Sequence, residues 1–213
     1  MKKHVLICAA LGLLCLVQTN FAQQTAATEN KTRTQNDEEV SRYEIGGHYT
    51  ALGGGYDNGF GGRFTVNANR HLAIESEVNF FPLGRFRGNA AQALIGVKAG
   101  KRWDRFGVFA KARPGFIYNS QGRAELNQSS TDINLNNRLR YKGATNFTAD
   151  VGGVVEFYPT KKLITRFDFG DTITHFNSQD AFFIDANGNL NTFRTSATTR
   201  HSFQFSAGIG FRF

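Results

Sequence analysis

The amino-acid sequence predicts an all-β protein, an eight-stranded antiparallel up-and-down transmembrane β-barrel with short turns at one end and long loops at the other. Three observations predict it. From Tyr43 onward, apolar and polar residues alternate at period two, which places successive side chains on opposite faces of a strand. The chain holds 21 Phe and 23 Gly against 3 Pro, and no stretch of about 20 apolar residues long enough for a transmembrane helix. The connections alternate short and long, as in barrels that cross a membrane.

The segments follow in order. Tyr43–Leu52 places Tyr43, Ile45, Gly47, Tyr49 and Ala51 on one face. Phe60–Asn69 sets Phe60, Gly62, Phe64, Val66 and Ala68 against Arg63, Thr65 and Asn67. His71–Phe81 sets Leu72, Ile74, Ser76, Val78 and Phe80 against Ala73, Glu75, Glu77 and Asn79. In Ala91–Lys101, Ala93, Ile95, Val97 and Ala99 oppose Gln92, Gly96, Lys98 and Gly100, and in Arg105–Ile117, Phe106, Val108, Ala110 and Ala112 oppose Gly107, Phe109, Lys111 and Arg113. Ala144–Tyr158 opposes Phe147, Ala149, Val151, Gly153, Val155 and Phe157 to Thr148, Asp150, Gly152 and Glu156. Lys162–His175 opposes Leu163, Thr165, Phe167 and Phe169 to Ile164, Arg166, Asp168 and Gly170. His201–Phe213 carries Phe203, Phe205, Ala207, Ile209, Phe211 and Phe213 on one face. A long, Phe-rich strand of this kind would aggregate as the edge of a soluble sheet.

Between these segments, Gly53–Gly59, Pro82–Ala90, Tyr118–Gly143 and Phe176–Arg200 read as long connections, and Asn69-Arg70, Arg102–Asp104 and Pro159–Lys161 as short ones. With the N-terminus in the periplasm, the long ones all fall outside the cell. A soluble lipocalin-type barrel predicts no such asymmetry, and it would put large apolar residues inside.

Ahead of the barrel, Lys2 and Lys3 precede an apolar run from Val5 to Val17 and then Thr19-Asn20-Phe21-Ala22. This reads as a cleaved secretory signal over 1–22, with cleavage after Ala22. Residues 23–42 are polar, mixed in charge and nearly free of large apolar side chains, and read as a disordered periplasmic tail. Cys8 and Cys15 both lie in the leader, so the mature chain has no disulfide, thiol nucleophile or Cys-based metal site. Removing Lys2 and Lys3 leaves 23 bases against 17 acids. On an exported chain, that excess points to lipid phosphate rather than nucleic acid as the anionic partner.

The polar face holds Glu75, Glu77, Asp150, Glu156 and Asp168 with Arg63, Lys98, Lys111, Arg113, Arg166 and Arg212. Facing lipid, each Arg or Lys at mid-depth would cost about 2–4 kcal/mol. Facing inward, acids and bases nearly balance and can pair, so this face is the lumen. Its main reading is a structural ion-pair network, since eight strands leave an interior that side chains just fill. The alternative is a narrow gated pore lined by Glu75, Glu77, Lys98, Lys111, Arg113, Glu156 and Arg166. In the outer loops, Arg85, Arg87, Arg138, Arg140 and Lys142 are placed to meet phosphates of outer-leaflet glycolipid.

Enzymatic constellations are thin, and no catalytic, cofactor or metal site is assigned. His175 and Ser178 lie close in sequence, and a lipid-modifying enzyme built on them is a third reading. A His and a Ser also occur in outer-membrane lipid A deacylases, but their order and spacing differ. His48, His71 and His201 show no metal-ligand spacing. Gly53-Gly54-Gly55 lacks the Lys and following helix of a phosphate loop.

The ending Ser206-Ala207-Gly208-Ile209-Gly210-Phe211-Arg212-Phe213 resembles the C-terminal signal by which bacterial outer-membrane barrels are recognised for insertion. Its carriers are Ser206, Gly208, Phe211 and Phe213. Together with the alternating segments and the distributed lumen charges, the region from Tyr43 to Phe213 resembles the small eight-stranded outer-membrane barrels, the OmpA transmembrane domain and its OmpX/Ail-type relatives. The resemblance implies an outer-membrane location and insertion by the barrel-assembly machinery. It also implies a role in envelope integrity, surface adhesion or slow solute passage, while contact with lipopolysaccharide is the reading of the outer-loop bases.

Overall fold

The computed structural model describes residues 40–55, 57–82, 88–126, 139–184 and 190–213. The leader, most of the tail, Arg85, Arg87 and Arg138 lie outside the described residues. Ten strands are formed among the described residues: β1 Tyr43–Leu52, β2 Asp57–Asn67, β3 Leu72–Phe81, β4 Ala90–Arg102, β5 Phe106–Leu126, β6 Leu139–Phe157, β7 Leu163–Phe176, β8 Asp180–Ile184, β9 Leu190–Arg194 and β10 Thr198–Arg212. Eight of them close a barrel in the order β1-β10-β7-β6-β5-β4-β3-β2, every neighbouring pair antiparallel.

Closure puts the first strand beside the last. Tyr49 opposes Ala207, and the backbones of Tyr43 and Phe213 exchange hydrogen bonds of 3.0 and 2.9 Å. Closure leaves no unpaired edge, so each strand can present a fully apolar outer face without offering an open ladder to other chains.

The outer face is the apolar one. Ile45 is 54 % exposed, Val78 59 % and Ile209 57 %, whereas Glu75 is fully buried and Arg166 is 1 % exposed. This inverts a soluble core: the surface is oily and the charges are inside. Aromatics gather near both ends of the outer face. Tyr43 packs on Phe64 and Phe213, and Trp103 stacks on Phe106 at the short-turn end. Phe60–Phe80 and Phe116–Phe147 make edge contacts farther up the strands. Such girdles mark the two interfaces of a bilayer, where an amphipathic ring is at home.

Several boundaries differ from the sequence reading. Leu52 pairs directly with Asp57, so the first connection is a tight turn, with Gly54 and Gly55 at φ of 75° and 92°. Both lie in the left-handed region that glycine alone adopts without cost. Arg102 is the last residue of β4 rather than a turn residue. The described residues of the expected loop Tyr118–Gly143 are strand: β5 and β6 continue to pair as far as Leu126 and Leu139, with a register shift between Asn119 and Arg123. The expected loop Phe176–Arg200 contains the β8–β9 hairpin, a separate two-stranded sheet. The end of the predicted tail is tied down, because Asn67 donates to the carbonyls of Ser41 and Arg42, each at 2.8 Å.

Candidate functional site

Each strand contributes every second residue to the lumen, so the interior is assembled from residues far apart in sequence. Six carboxylates (Glu44, Glu75, Glu77, Asp150, Glu156, Asp168) and six permanent cations (Arg63, Lys98, Arg102, Lys111, Arg113, Arg166) are buried there. Burial in a low dielectric makes each charge costly unless it is paired and hydrogen-bonded, and the geometry meets that demand.

Arg166 on β7 is the hub. It reaches across the barrel to Glu75 on β3, with Nη2 donating to Oε2 at 2.9 Å and Nη1 donating to Oε1. On its own strand it donates from Nε and Nη2 to Asp168 at 2.9 and 2.7 Å. Asp168 also accepts from Arg63 at 3.1 Å. Arg113 on β5 joins Glu77 at 2.6 Å and Asp150 through Nε at 3.0 Å. Lys111 lies 2.8 Å from Asp150, and Lys98 donates to Glu156 at 2.5 Å. The pairs Arg166–Glu75, Arg63–Asp168, Arg113–Glu77 and Lys98–Glu156 bridge non-adjacent strands and so brace the barrel from within.

Toward the short-turn end, Arg102 donates to Glu44 and to the Tyr158 hydroxyl, both at 2.9 Å, and that hydroxyl donates to Glu156 at 2.8 Å. Arg212, expected in the ion-pair network, lies over the Tyr158 ring at 4.2 Å with no carboxylate within ion-pair distance among the described residues. It is half-buried at the short-turn rim.

Toward the outer end, the polar side chains lose their charge. His48 Nε2 lies 2.6 Å from Asn79 Oδ1, and the Asn79 amide in turn donates to Glu77 and Gln92. Gln204 and Ser206 both donate to the Thr50 hydroxyl. Leu52, Phe81, Ala90 and Ile117 then form a buried apolar layer across the lumen. A cavity of about 10 Å³ beside Glu44, Arg63, Glu156 and Arg166 is at the lower limit for one water molecule.

The parity of the strands could have identified Glu44, His48 and Arg102 as lumen residues. Glu44 and His48 alternate with the outward Tyr43 and Tyr49, and Arg102 continues the inward row of Gln92 and Lys98. Tyr158 follows the last residue of β6 but keeps the parity of Glu156, which its hydroxyl reaches.

The remaining predicted residues do not gather into one site. Phe211 and Phe213 face outward, Ser206 is buried on Thr50, and Gly208 packs against His48. Arg140 is exposed on the β6 extension, while Lys142 closes on Glu125, which also accepts from Arg123 at 3.0 Å. His175 and Ser178 do not meet as a catalytic pair: His175 Nδ1 is 3.1 Å from the Thr199 hydroxyl, and Ser178 accepts from Arg194 at 3.3 Å. Among the described residues, no group of three His, Cys, Asp or Glu could hold a metal ion.

At the outer end, the β8–β9 hairpin, the ends of β7 and β10 and the β5 extension enclose a cleft of about 440 Å³. Phe176, Gln179, Phe182, Thr195, Thr198 and Arg200 line it, with the Arg200 guanidinium 5.7 Å from the centre of the Phe176 ring.

An oily exterior, a closed eight-strand ladder and a lumen filled by paired charges define a small transmembrane β-barrel. This is the architecture that the resemblance to the small outer-membrane barrels implied. No family model and no curated protein matches the sequence. Solved structures similar in fold include the N-terminal β-barrel domain of Pseudomonas aeruginosa OprF, 9 % identical, covering 80 % of this chain and 96 % of that one at a TM-score of 0.45. Neisserial surface protein A is 14 % identical, with coverage of 83 % and 100 % and a TM-score of 0.44. A major outer membrane protein from Thermus thermophilus is 10 % identical, with coverage of 80 % and 99 % and a TM-score of 0.45.

Proposed function

We propose that this protein is an outer-membrane barrel whose spanning part is a closed, ion-paired scaffold. On this reading its role is structural or adhesive, and interactions are made at the outer end. The observation that carries the reading is the filled lumen. Arg113 and Arg166 hold carboxylates of opposite walls across the bore, and the Leu52–Phe81–Ala90–Ile117 layer lies above them. A conducting path would require those guanidiniums to leave their carboxylates in a low dielectric, which is costly. The pore is therefore the weaker reading.

The short turns then face the periplasm, and the β5–β6 and β8–β9 hairpins face outward. Two features of that outer end support contact with other molecules: the cleft beside Arg200, and the bases Arg123, Arg140 and Arg194 along its rim. Glycolipid phosphate is the partner we assign to these bases, joined by Arg85, Arg87, Arg138 and Lys142. The barrel-assembly machinery is the partner of Ser206, Gly208, Phe211 and Phe213 during insertion. The protein has no enzymatic role in this reading.

The test is a refolded sample in a planar bilayer, checked for the gel-mobility shift that folded barrels lose on boiling. A heat-shifted protein without discrete conductance steps fits the scaffold. Regular steps that change when Glu75 or Arg166 is reversed in charge would replace it with the pore. Loss of lipopolysaccharide binding on substituting Arg140 and Arg194 with Gln tests the outer contact, and unchanged binding refutes it.

A further inference from the structure

Among the described residues, the two rims of the barrel differ in charge. At the short-turn rim, Arg42, Arg70, Lys101, Arg105, Lys161 and Lys162 are exposed or half-exposed, and Arg212 is half-buried beside them. Asp104 is the one exposed acidic side chain described there. At the outer rim the described bases are diluted by Glu125, Asp171 and Asp180, and Glu125 takes up both Arg123 and Lys142.

Three bases of the short-turn rim, Arg42, Lys101 and Arg212, lie against rings. The Lys101 ammonium sits 5.3 Å from the centre of the Trp103 ring, and the Arg42 guanidinium 5.8 Å from that of Tyr43. Arg102 and Arg212 share the Tyr158 ring at 5.5 and 4.2 Å. A cation on a ring keeps its N–H donors for a further acceptor. Three buried guanidinium nitrogens at this rim, Arg70 Nε, Arg102 Nη1 and Arg212 Nε, have no hydrogen-bond partner among the described residues. Those three nitrogens are closed to solvent; the donors open to a phosphate oxygen are those of the exposed Arg42, Lys101, Arg105, Lys161 and Lys162, which can make charge-assisted bonds to it. The rim also lies at the level of Tyr43, Trp103 and Phe106, the aromatic girdle that belongs with lipid headgroups.

We propose that this basic collar binds the phosphate groups of anionic phospholipid in the leaflet at the short-turn face. The proposal rests on reading the chain as a membrane-spanning barrel. It adds a lipid class, and a second lipid contact at the end opposite the glycolipid. Rings hold Arg42, Lys101 and Arg212 at headgroup depth, and an anionic leaflet supplies acceptors to them and to the exposed Arg105, Lys161 and Lys162 beside them.

The experiment compares full-length protein in vesicles of phosphatidylcholine and in the same vesicles doped with phosphatidylglycerol. The thermal midpoint of the gel-mobility shift is the readout. For the unsubstituted protein, phosphatidylglycerol raises the midpoint by a few degrees, and added salt removes the rise because exposed charges are screened. The variant Lys101→Gln/Arg105→Gln/Lys161→Gln/Lys162→Gln keeps its mobility shift in phosphatidylcholine and loses the rise. The outer-end variant Arg194→Gln/Arg200→Gln keeps it. An equal midpoint in both vesicles, or a rise that survives in the four-site variant, overturns the proposal. So does a full rise from inorganic phosphate alone, which would make the site one for a free anion. Absence of any mobility shift in phosphatidylcholine would instead refute the barrel reading itself.

Discussion

Replacing Arg166 with Met gives the sharpest test of the lumen. The side chain is 1 % exposed, and it bridges Glu75 on one wall to Asp168 on another. Breaking a buried pair by removing one partner costs about 3–5 kcal/mol, because the other charge is left without compensation. The neighbours set where in that range the loss falls. Glu75 keeps Lys98 at 3.4 Å and Arg113 at 3.6 Å, and Asp168 keeps Arg63 at 3.1 Å and Lys111 at 3.6 Å. The remaining cations offset part of the loss, so the expected cost is at the lower end, about 3 kcal/mol. Adding Glu75→Gln removes one of the carboxylates left behind. The double variant is then less destabilised than the sum of the singles by about 1–2 kcal/mol, as for residues in one network. Urea unfolding in vesicles, followed by circular dichroism and gel mobility, gives both quantities from the midpoint and slope. A cost below about 1 kcal/mol for Arg166→Met, or strict additivity in the double variant, would refute the view that the lumen is a dry, mutually dependent network.

Three further outcomes follow from the same geometry. Gly96→Val drives a Cβ against the Ala112 carbonyl and to 2.6 Å from the Arg113 Cα, so the β4–β5 ladder must shift; a loss of about 2 kcal/mol or more in urea is expected, and an unchanged midpoint would place that face elsewhere. Phe81→Ala empties the apolar layer and costs about 3 kcal/mol, yet the bilayer stays silent because Arg113 and Arg166 still span the bore below; conductance steps in this variant would show that the layer alone closes the barrel. Glu125 lies on the β5 extension, and its hydrogen bond from Lys142, helped by Arg123, holds its carboxyl below the usual range. A lowered pKa in the folded hairpin means that the contact contributes above the ordinary carboxylate pKa and is lost as pH falls through the lowered one. The protection of the amides near Glu125, with the intrinsic pH dependence of exchange divided out, is therefore expected to fall in acid below the ordinary carboxylate range, and Glu125→Gln to remove that fall.

Much of this molecule was legible before any coordinates. A strand has period two, so a single outward aromatic such as Tyr43 or Phe203 fixes the facing of every residue that follows it in the strand. That is why Glu75, Glu77, Lys98, Lys111, Arg113, Asp150, Glu156, Arg166 and Asp168 could be placed inside together. The same rule would have reached Glu44, His48 and Arg102 had it been carried to the strand ends, where turn chemistry and strand pattern overlap. The hairpin extensions were illegible for a different reason. Beyond the membrane no apolar face is required, so the Asn- and Ser-rich flanks of Tyr118–Gly143 carry no alternation to read, although β5 and β6 continue to pair there.

Alternation, turn spacing and the sign of the charges on each face decided the class, the number of barrel strands and the inside-out polarity, because these follow from local geometry and from the cost of exposing charge to lipid. Partner choice was left to the tertiary structure. Barrel closure sets Arg166 against Glu75 across the bore, sends Arg212 to the Tyr158 ring rather than a carboxylate, and keeps His175 apart from Ser178. Those distances depend on how eight strands tilt and stagger around an axis, and no single stretch of chain contains that information.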